Sequence, residues 1–170
     1  MSEKRAIGLE YIKVGAVAGD GGMGTVLAAL GVTYQDSAEL SQADPELTEI
    51  FAEENIEPEE VIETPGIKTL KWSIMDYAPA TLVKVLGGTV TGVAPNEMWN
   101  APTTNVNIEQ SVEFKEKKNG MIVQIPRAKI IAKLNYKISK KGVALVEITA
   151  KILTPSKAGV APIIIGVPAA

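Results

Sequence analysis

Hydrophobic and polar residues alternate with a period of two through much of the second half of the chain. Ala128, Ile130, Ala132, Leu134, Tyr136 and Ile138 interleave with Lys129, Ile131, Lys133, Asn135 and Lys137. Successive side chains of a strand point to opposite faces, so this run predicts one long half-buried strand with its first set on the core. Ser139-Lys140-Lys141-Gly142 reads as a turn, and Val146, Ile148, Ala150 and Ile152 alternate again beyond it. Together they predict a long antiparallel hairpin. A second hairpin is predicted just upstream. Ile108, Gln110, Val112 and Phe114 share one face, Asn119-Gly120 suits a turn with positive φ, and Met121 to Ile125 returns. Pro126 has no N–H to give to a ladder, which predicts a bulge, a bend or an edge between the two hairpins.

The first half is less regular. Leu9 to Val17 and Val32 to Leu40 read as strands, and Leu47 to Glu54 as an exposed edge because of its charge. Leu70, Trp72 and Ile74 alternate with Lys71, Ser73 and Met75, which puts Trp72 in the core. One short helix follows. Asp76 is its expected cap, Pro79 lies in its first turn, Leu82, Val83, Val85 and Leu86 are its apolar face, and Gly87-Gly88 ends it. Stretches 18–31 and 91–107 read as long loops, and such loops in a compact domain tend to be functional. Within the second, Trp99 either folds back over the domain or anchors a partner. The tail is apolar, rich in Pro and Gly, and includes Ile163-Ile164-Ile165; it is expected to pack on a neighbouring strand or subunit.

The predicted fold is mainly β: a β-sandwich or barrel of antiparallel hairpins with one short flanking α-helix and long loops. A length of 170 residues suits a single domain, 1–170, with an extended C-terminal arm at 154–170.

Composition changes the picture chiefly by what it removes. There is no cysteine and no histidine, so thiolate chemistry, the usual general base near neutral pH and the commonest metal ligand are absent. The expectation is a protein that is not an enzyme and needs no cofactor or metal. Gly19, Gly21 and Gly24 match a dinucleotide-binding GxGxxG, but Gly31 would end the following helix early and the hairpins imply antiparallel sheet. Glu59-Glu60 reads as part of a solvated acidic loop, since calcium-loop spacing is missing. No apolar run approaches the ~18 residues of a membrane span, so no membrane association is expected. Met1-Ser2-Glu3-Lys4-Arg5 leads into no signal-peptide core, which predicts a protein that stays where it is made.

Net charge is −3 but unevenly placed. Glu39, Asp44, Glu46, Glu49, Glu53, Glu54, Glu57, Glu59, Glu60 and Glu63 form a run without Lys or Arg, whereas residues after Asn100 are mostly basic. Either these are two solvated faces, or acidic and basic surfaces meet between subunits, where complementarity fixes register more than affinity. The Lys129, Lys133 and Lys137 stripe has no interleaved aromatics, so specific nucleic-acid binding is not expected.

GDGGMGT (19–25), KTLKWSIMDYAPATLVKVLGGTVTG (68–92), WNAP (99–102), IPRAKIIAKL (125–134) and TPSKAGVAP (154–162) follow one another around the acidic mid-region. In this order the chain resembles the major tail tube proteins of tailed bacteriophages and related contractile particles. The resemblance implies a structural subunit that assembles with itself into six-membered rings, stacked as a hollow tube with an acidic lumen. DNA would pass through without being specifically bound, because cationic walls would hold its phosphates. Sheath, baseplate or tape-measure proteins would be further partners, and the site of action would be the virion tail, assembled in the bacterial cytoplasm. Long loops and terminal arms reach neighbours in such proteins. That makes Asp20, Gly21, Gly22, Met23, Gly24, Trp99, Asn100, Ile163, Ile164 and Ile165 the candidate inter-subunit contacts. The alternatives are another β-rich particle component (baseplate, tail terminator or injection-tube protein) or a carbohydrate-binding or adhesin module.

Overall fold

The computed structural model describes residues 4–168; Met1-Ser2-Glu3 and the last two residues of the predicted arm, Ala169 and Ala170, lie outside the described residues. In chain order the elements are β1 (Leu9–Ala16), β2 (Ala28–Ala29), β3 (Glu39–Gln42), β4 (Glu46–Phe51), β5 (Pro58–Thr64) and β6 (Lys68–Ile74). The helix α1 (Pro79–Leu86) follows, then β7 (Thr89–Thr91), β8 (Met98–Asn100), β9 (Ile108–Glu116), β10 (Ile122–Tyr136), β11 (Ala144–Ile152) and β12 (Ile164–Gly166). The fold is mainly β, with antiparallel pairing throughout these strands and one short helix. One eight-stranded sheet runs β2-β1-β9-β10-β11-β6-β3, with β12 added on β10; β4–β5 and β7–β8 are separate two-stranded ribbons.

The two predicted hairpins share one strand. β10 pairs β9 along its first part and β11 along its second, and the β9 register shifts between Ile125 and Ala128. Pro126 sits in that shift as the sequence predicts, fully buried, where a missing N–H does least harm to the ladder. The shift also aims Arg127 at Glu109, which it grips with two nitrogens at 2.7 and 3.1 Å. Gly120, with φ of 67°, makes the β9–β10 turn.

Ile12 and Val14 of β1, Val112 of β9, Ile125 and Ile130 of β10, Val146 and Ile148 of β11 and Leu70, Trp72 and Ile74 of β6 form the core. Leu82 and Val85 of α1 complete it from one side. Each such side chain contributes about 1.5–3 kcal/mol when fully buried. α1 starts at Pro79, whose fixed φ suits a first helical position, and ends at Gly87 with φ of 76°. Asp76 is not the cap itself: that position is Ala78, without a side-chain bond. Asp76 steadies the entry from two residues upstream, accepting from the Ala78 amide at 2.9 Å and the Thr81 hydroxyl at 3.0 Å.

Four expectations are corrected. Val32 to Leu40 is not one strand, because the chain turns at Asp36 with φ of 57°. Tyr34 still donates to Ser73 of β6, Val32 accepts from Met75 just beyond it, and the Ser37 hydroxyl accepts from the Ser73 amide at 3.1 Å, replacing the ladder bond lost at the turn. Glu59 and Glu60 lie in a strand, β5, rather than in a loop. The long loops are not bare either, since β2 interrupts the first and β8 the second. Finally, β10 outruns the core: Leu134, Tyr136 and Ile138, expected on the core side, are exposed.

Candidate functional site

The β4–β5 ribbon grows out of the β3–β6 pair. β3 runs into β4 and β5 into β6, so the ribbon prolongs that ladder. Pro45 and Pro65 cannot donate to it and mark the break. At the neck the Ala43 amide donates to the Ile67 carbonyl at 3.0 Å. A β-carbon on Gly66 would stand 1.9 Å from the Ala43 carbonyl oxygen, so only glycine lets the two strands approach here.

Beyond the neck, Leu47 faces Glu63, Glu49 faces Val61, and Ile50 faces Glu60. Cross-strand partners share a face. One face therefore carries Leu47, Glu49, Val61 and Glu63, and the other Ile50, Glu60 and Ile62, and the register shifts between Ile50 and Phe51. Leu47, Phe51 and Val61 are each more than half exposed, and Ile56 at the tip is 94% exposed. Eight glutamates fall between Glu46 and Glu63, with no Lys or Arg among them. The ribbon is acidic and apolar on both faces, and among the described residues neither of its strands pairs with a third.

The overhang of β10–β11 has the opposite charge. Leu134 and Tyr136 continue the core-side row past the core, Ile138 is 95% exposed, and Val143, just before the return strand, is exposed as well. No acidic residue occurs between Glu116 and Glu147. Glu147 accepts from Lys133 at 2.8 Å and from Asn135 at 2.7 Å, and the Lys133 ammonium foremost holds its carboxyl below the ordinary carboxylate range. Further out, Lys137, Lys140 and Lys141 project from the exposed turn.

The predicted contact residues fall in three places. The first loop is fastened to its own domain: Asp20 meets Lys157 at 2.5 Å and accepts from the Gly22 amide at 3.0 Å. Lys157, ahead of that Gly22 contact, lowers the Asp20 carboxyl from its usual range. Gly21 packs on Ser156, Met23 is half-buried, and the buried Gly24 donates to the Ser111 hydroxyl at 2.9 Å. A β-carbon on Gly24 would lie 2.2 Å from the Ala16 carbonyl, which is why a glycine stands there. Thr25 to Leu30 forms no helix and leads instead into β2. Trp99 folds back on the helix end, its indole donating to the Gly87 carbonyl at 2.8 Å, while Asn100 beside it is exposed.

The apolar tail adds a strand. Ile163 packs against the core, and Ile164 and Ile165 pair with Gln124 and Val123 of β10, with their side chains exposed. β12 lies on the β11 side of β10, and residues 153–163 form the excursion between the two. The Asp20 loop touches that excursion; Trp99 and Asn100 belong to a different ribbon.

One open groove of about 790 Å³ lies between β1 and residues 31–40, floored by Leu9, Ile12, Leu40, Leu70, Phe114 and Met121. Its Glu116 is fully engaged, accepting from the amides of Ile7, Lys118 and Asn119 at 2.7–2.8 Å. Burial alone would raise that carboxyl; those amides outweigh it and hold the carboxyl below its ordinary value. Among the described residues, no three carboxylates gather as a metal site, and no helix is long and apolar enough to cross a membrane. No protein-family model matches the chain, and no curated protein matches it.

Sequence reasoning missed β5 and with it the ribbon. The signal was present in Val61-Ile62, flanked by Glu60 and Glu63, which places one apolar residue on each face of a strand.

Proposed function

We propose that this chain is a structural, non-enzymatic subunit that assembles with copies of itself, as do the tail tube proteins that its order of features resembles. The observation that carries this reading is the β4–β5 ribbon. Two strands alone in water are marginally stable. Here they expose Leu47, Ile50, Phe51, Val61 and Ile62, a cost that disappears when a neighbour covers them. The edge strand β12 supports the same reading, since it pairs on one side only and exposes Ile164 and Ile165. Natural proteins shield such edges unless they are used.

In the proposed role, rings of subunits stack into the hollow tube of a phage tail, formed in the host cytoplasm and carried in the virion. DNA passes through without specific binding, and sheath, baseplate or tape-measure proteins are the other partners. Light scattering coupled to size exclusion, over a concentration series, tests the self-association. The expected result is a concentration-dependent shift from 18.0 kDa monomer to large species. A monomer at every concentration and salt condition contradicts it.

A further inference from the structure

We infer that the acidic β4–β5 ribbon of one copy docks on the overhanging β10–β11 end of the next copy. This rests on the self-assembly reading and names the receiving surface. Each element is half of an interface, an uncovered apolar row bordered by charge: glutamates on the ribbon, and on the overhang lysines that outnumber Glu147 and the Asp76 carboxylate whose charge acts on Tyr136. The ribbon offers Leu47 and Val61 among glutamates, and the overhang offers Tyr136 and Ile138 among Lys137, Lys140 and Lys141.

Strand register puts the two elements at opposite ends of the sheet. β6 pairs β11 from Thr69↔Lys151 at one end to Ile74↔Val146 at the other. The ribbon leaves from the Lys68 end, and the overhang continues past the Val146 end. Six residue steps at about 3.3 Å separate these ends by about 20 Å, before either projection is added. A ribbon therefore points away from the overhang of its own chain and toward that of a copy placed end to end. Charge also rules out the symmetric contacts, because ribbon on ribbon sets glutamates together and overhang on overhang sets lysines together. What remains is a contact between two different patches, which propagates rather than closing on a two-fold axis. An anionic lipid surface would suit the lysines but would leave the ribbon bare.

Two charge-reversed variants of the full chain test the pairing. In one, Glu49→Lys, Glu53→Lys, Glu54→Lys, Glu60→Lys and Glu63→Lys leave the ribbon three glutamates against five lysines and so reverse its sign; in the other, Lys137→Glu, Lys140→Glu and Lys141→Glu reverse the overhang. All eight positions are exposed, and unchanged circular dichroism and melting temperature confirm folding. Each variant alone is expected to lose at least tenfold in sedimenting material, and an equimolar mixture is expected to recover it as an alternating copolymer. A chain carrying both reversals is expected to assemble with itself.

Wild-type assembly with either reversal harmless, or with a mixture that stays monomeric, overturns the pairing and leaves self-assembly standing. A wild-type chain that never assembles overturns both. If the lysine reversal instead abolishes binding to phosphatidylserine vesicles without affecting assembly, the lysines serve a lipid surface and the pairing is wrong. Because the chain has no cysteine, Ile56→Cys and Lys140→Cys chains can also be mixed and joined with a bifunctional maleimide. A mixed cross-linked dimer is expected, and its absence under assembling conditions counts against the pairing.

Discussion

Gly66 and Ala43 touch at the neck of the acidic ribbon, and a β-carbon on Gly66 would stand 1.9 Å from the Ala43 carbonyl oxygen. The close approach lets the β3–β6 ladder carry on past two prolines and fixes the direction in which the ribbon leaves the domain. Gly66→Ala must move backbone, so it is expected to cost about 1–3 kcal/mol by overpacking and to reduce assembly beyond that loss. Gly19→Ala, with open space around it, serves as the control and is expected to be near neutral. Chemical denaturation and sedimentation of both variants check this.

Ser111 is the second joint of the fold. Its hydroxyl donates to the Pro126 carbonyl at 2.6 Å and accepts from the Gly24 amide at 2.9 Å, tying the β10 bulge to the first loop. Ser111→Ala leaves a buried amide without a partner, which typically costs about 1–3 kcal/mol. Asp20→Ala, which removes an exposed ion pair, is expected to leave the urea midpoint almost unchanged. The contrast between the two in urea melts locates the stabilising part of the loop at Gly24 rather than at its charged tip.

Acid is expected to destabilise the domain, and base near neutrality is not. Glu109, Glu116, Glu147 and Asp20 all have carboxyls held below their ordinary values in the fold. A depressed folded pKa gives stability that is present above the unfolded value, about 4 for such groups, and lost as pH falls through the folded one. No histidine titrates between pH 5 and 8. The melting temperature is therefore expected to stay level from pH 6 to 8 and to fall below about pH 4. Glu109→Gln, which removes the carboxylate held by Arg127, is expected to flatten that acid limb.

The two tryptophans separate core from surface. Trp72 is 2% exposed, and Trp72→Ala is expected to cost about 3–5 kcal/mol. Trp99→Phe loses the bond to the Gly87 carbonyl, about 1 kcal/mol, together with part of the ring's packing on the core. Single-tryptophan fluorescence distinguishes them further, with Trp72 emission resisting quenching by acrylamide.

Much of the sheet was legible because one face of β6 and one face of β11 are uniformly apolar. Leu70, Trp72 and Ile74 alternate cleanly, as do Val146, Ile148 and Ala150, so period, pairing and burial agree. The β4–β5 ribbon was not legible as a hairpin because glutamates on both faces erase the alternation. Leu134, Tyr136 and Ile138 keep the period of a buried row but have no neighbour above them; periodicity gives the face of a strand, not where the rest of the domain stops. The Asp36 turn hid for a related reason, since the Ser37 side chain stands in for a backbone bond that no pattern of apolar residues records. The tail was expected to pack on a neighbouring strand or subunit, and β12 lies on the strand β10 of its own chain. Of the predicted contact residues, Gly22 and Gly24 are buried within their own chain, whereas Asn100, Ile164 and Ile165 are exposed.

Electron microscopy of the purified, concentrated wild-type chain tests self-assembly most directly. Rings or hollow tubes are the predicted result, with end-to-end stacking visible in the longest particles. A field of dispersed monomers under every condition of concentration and salt would contradict the account.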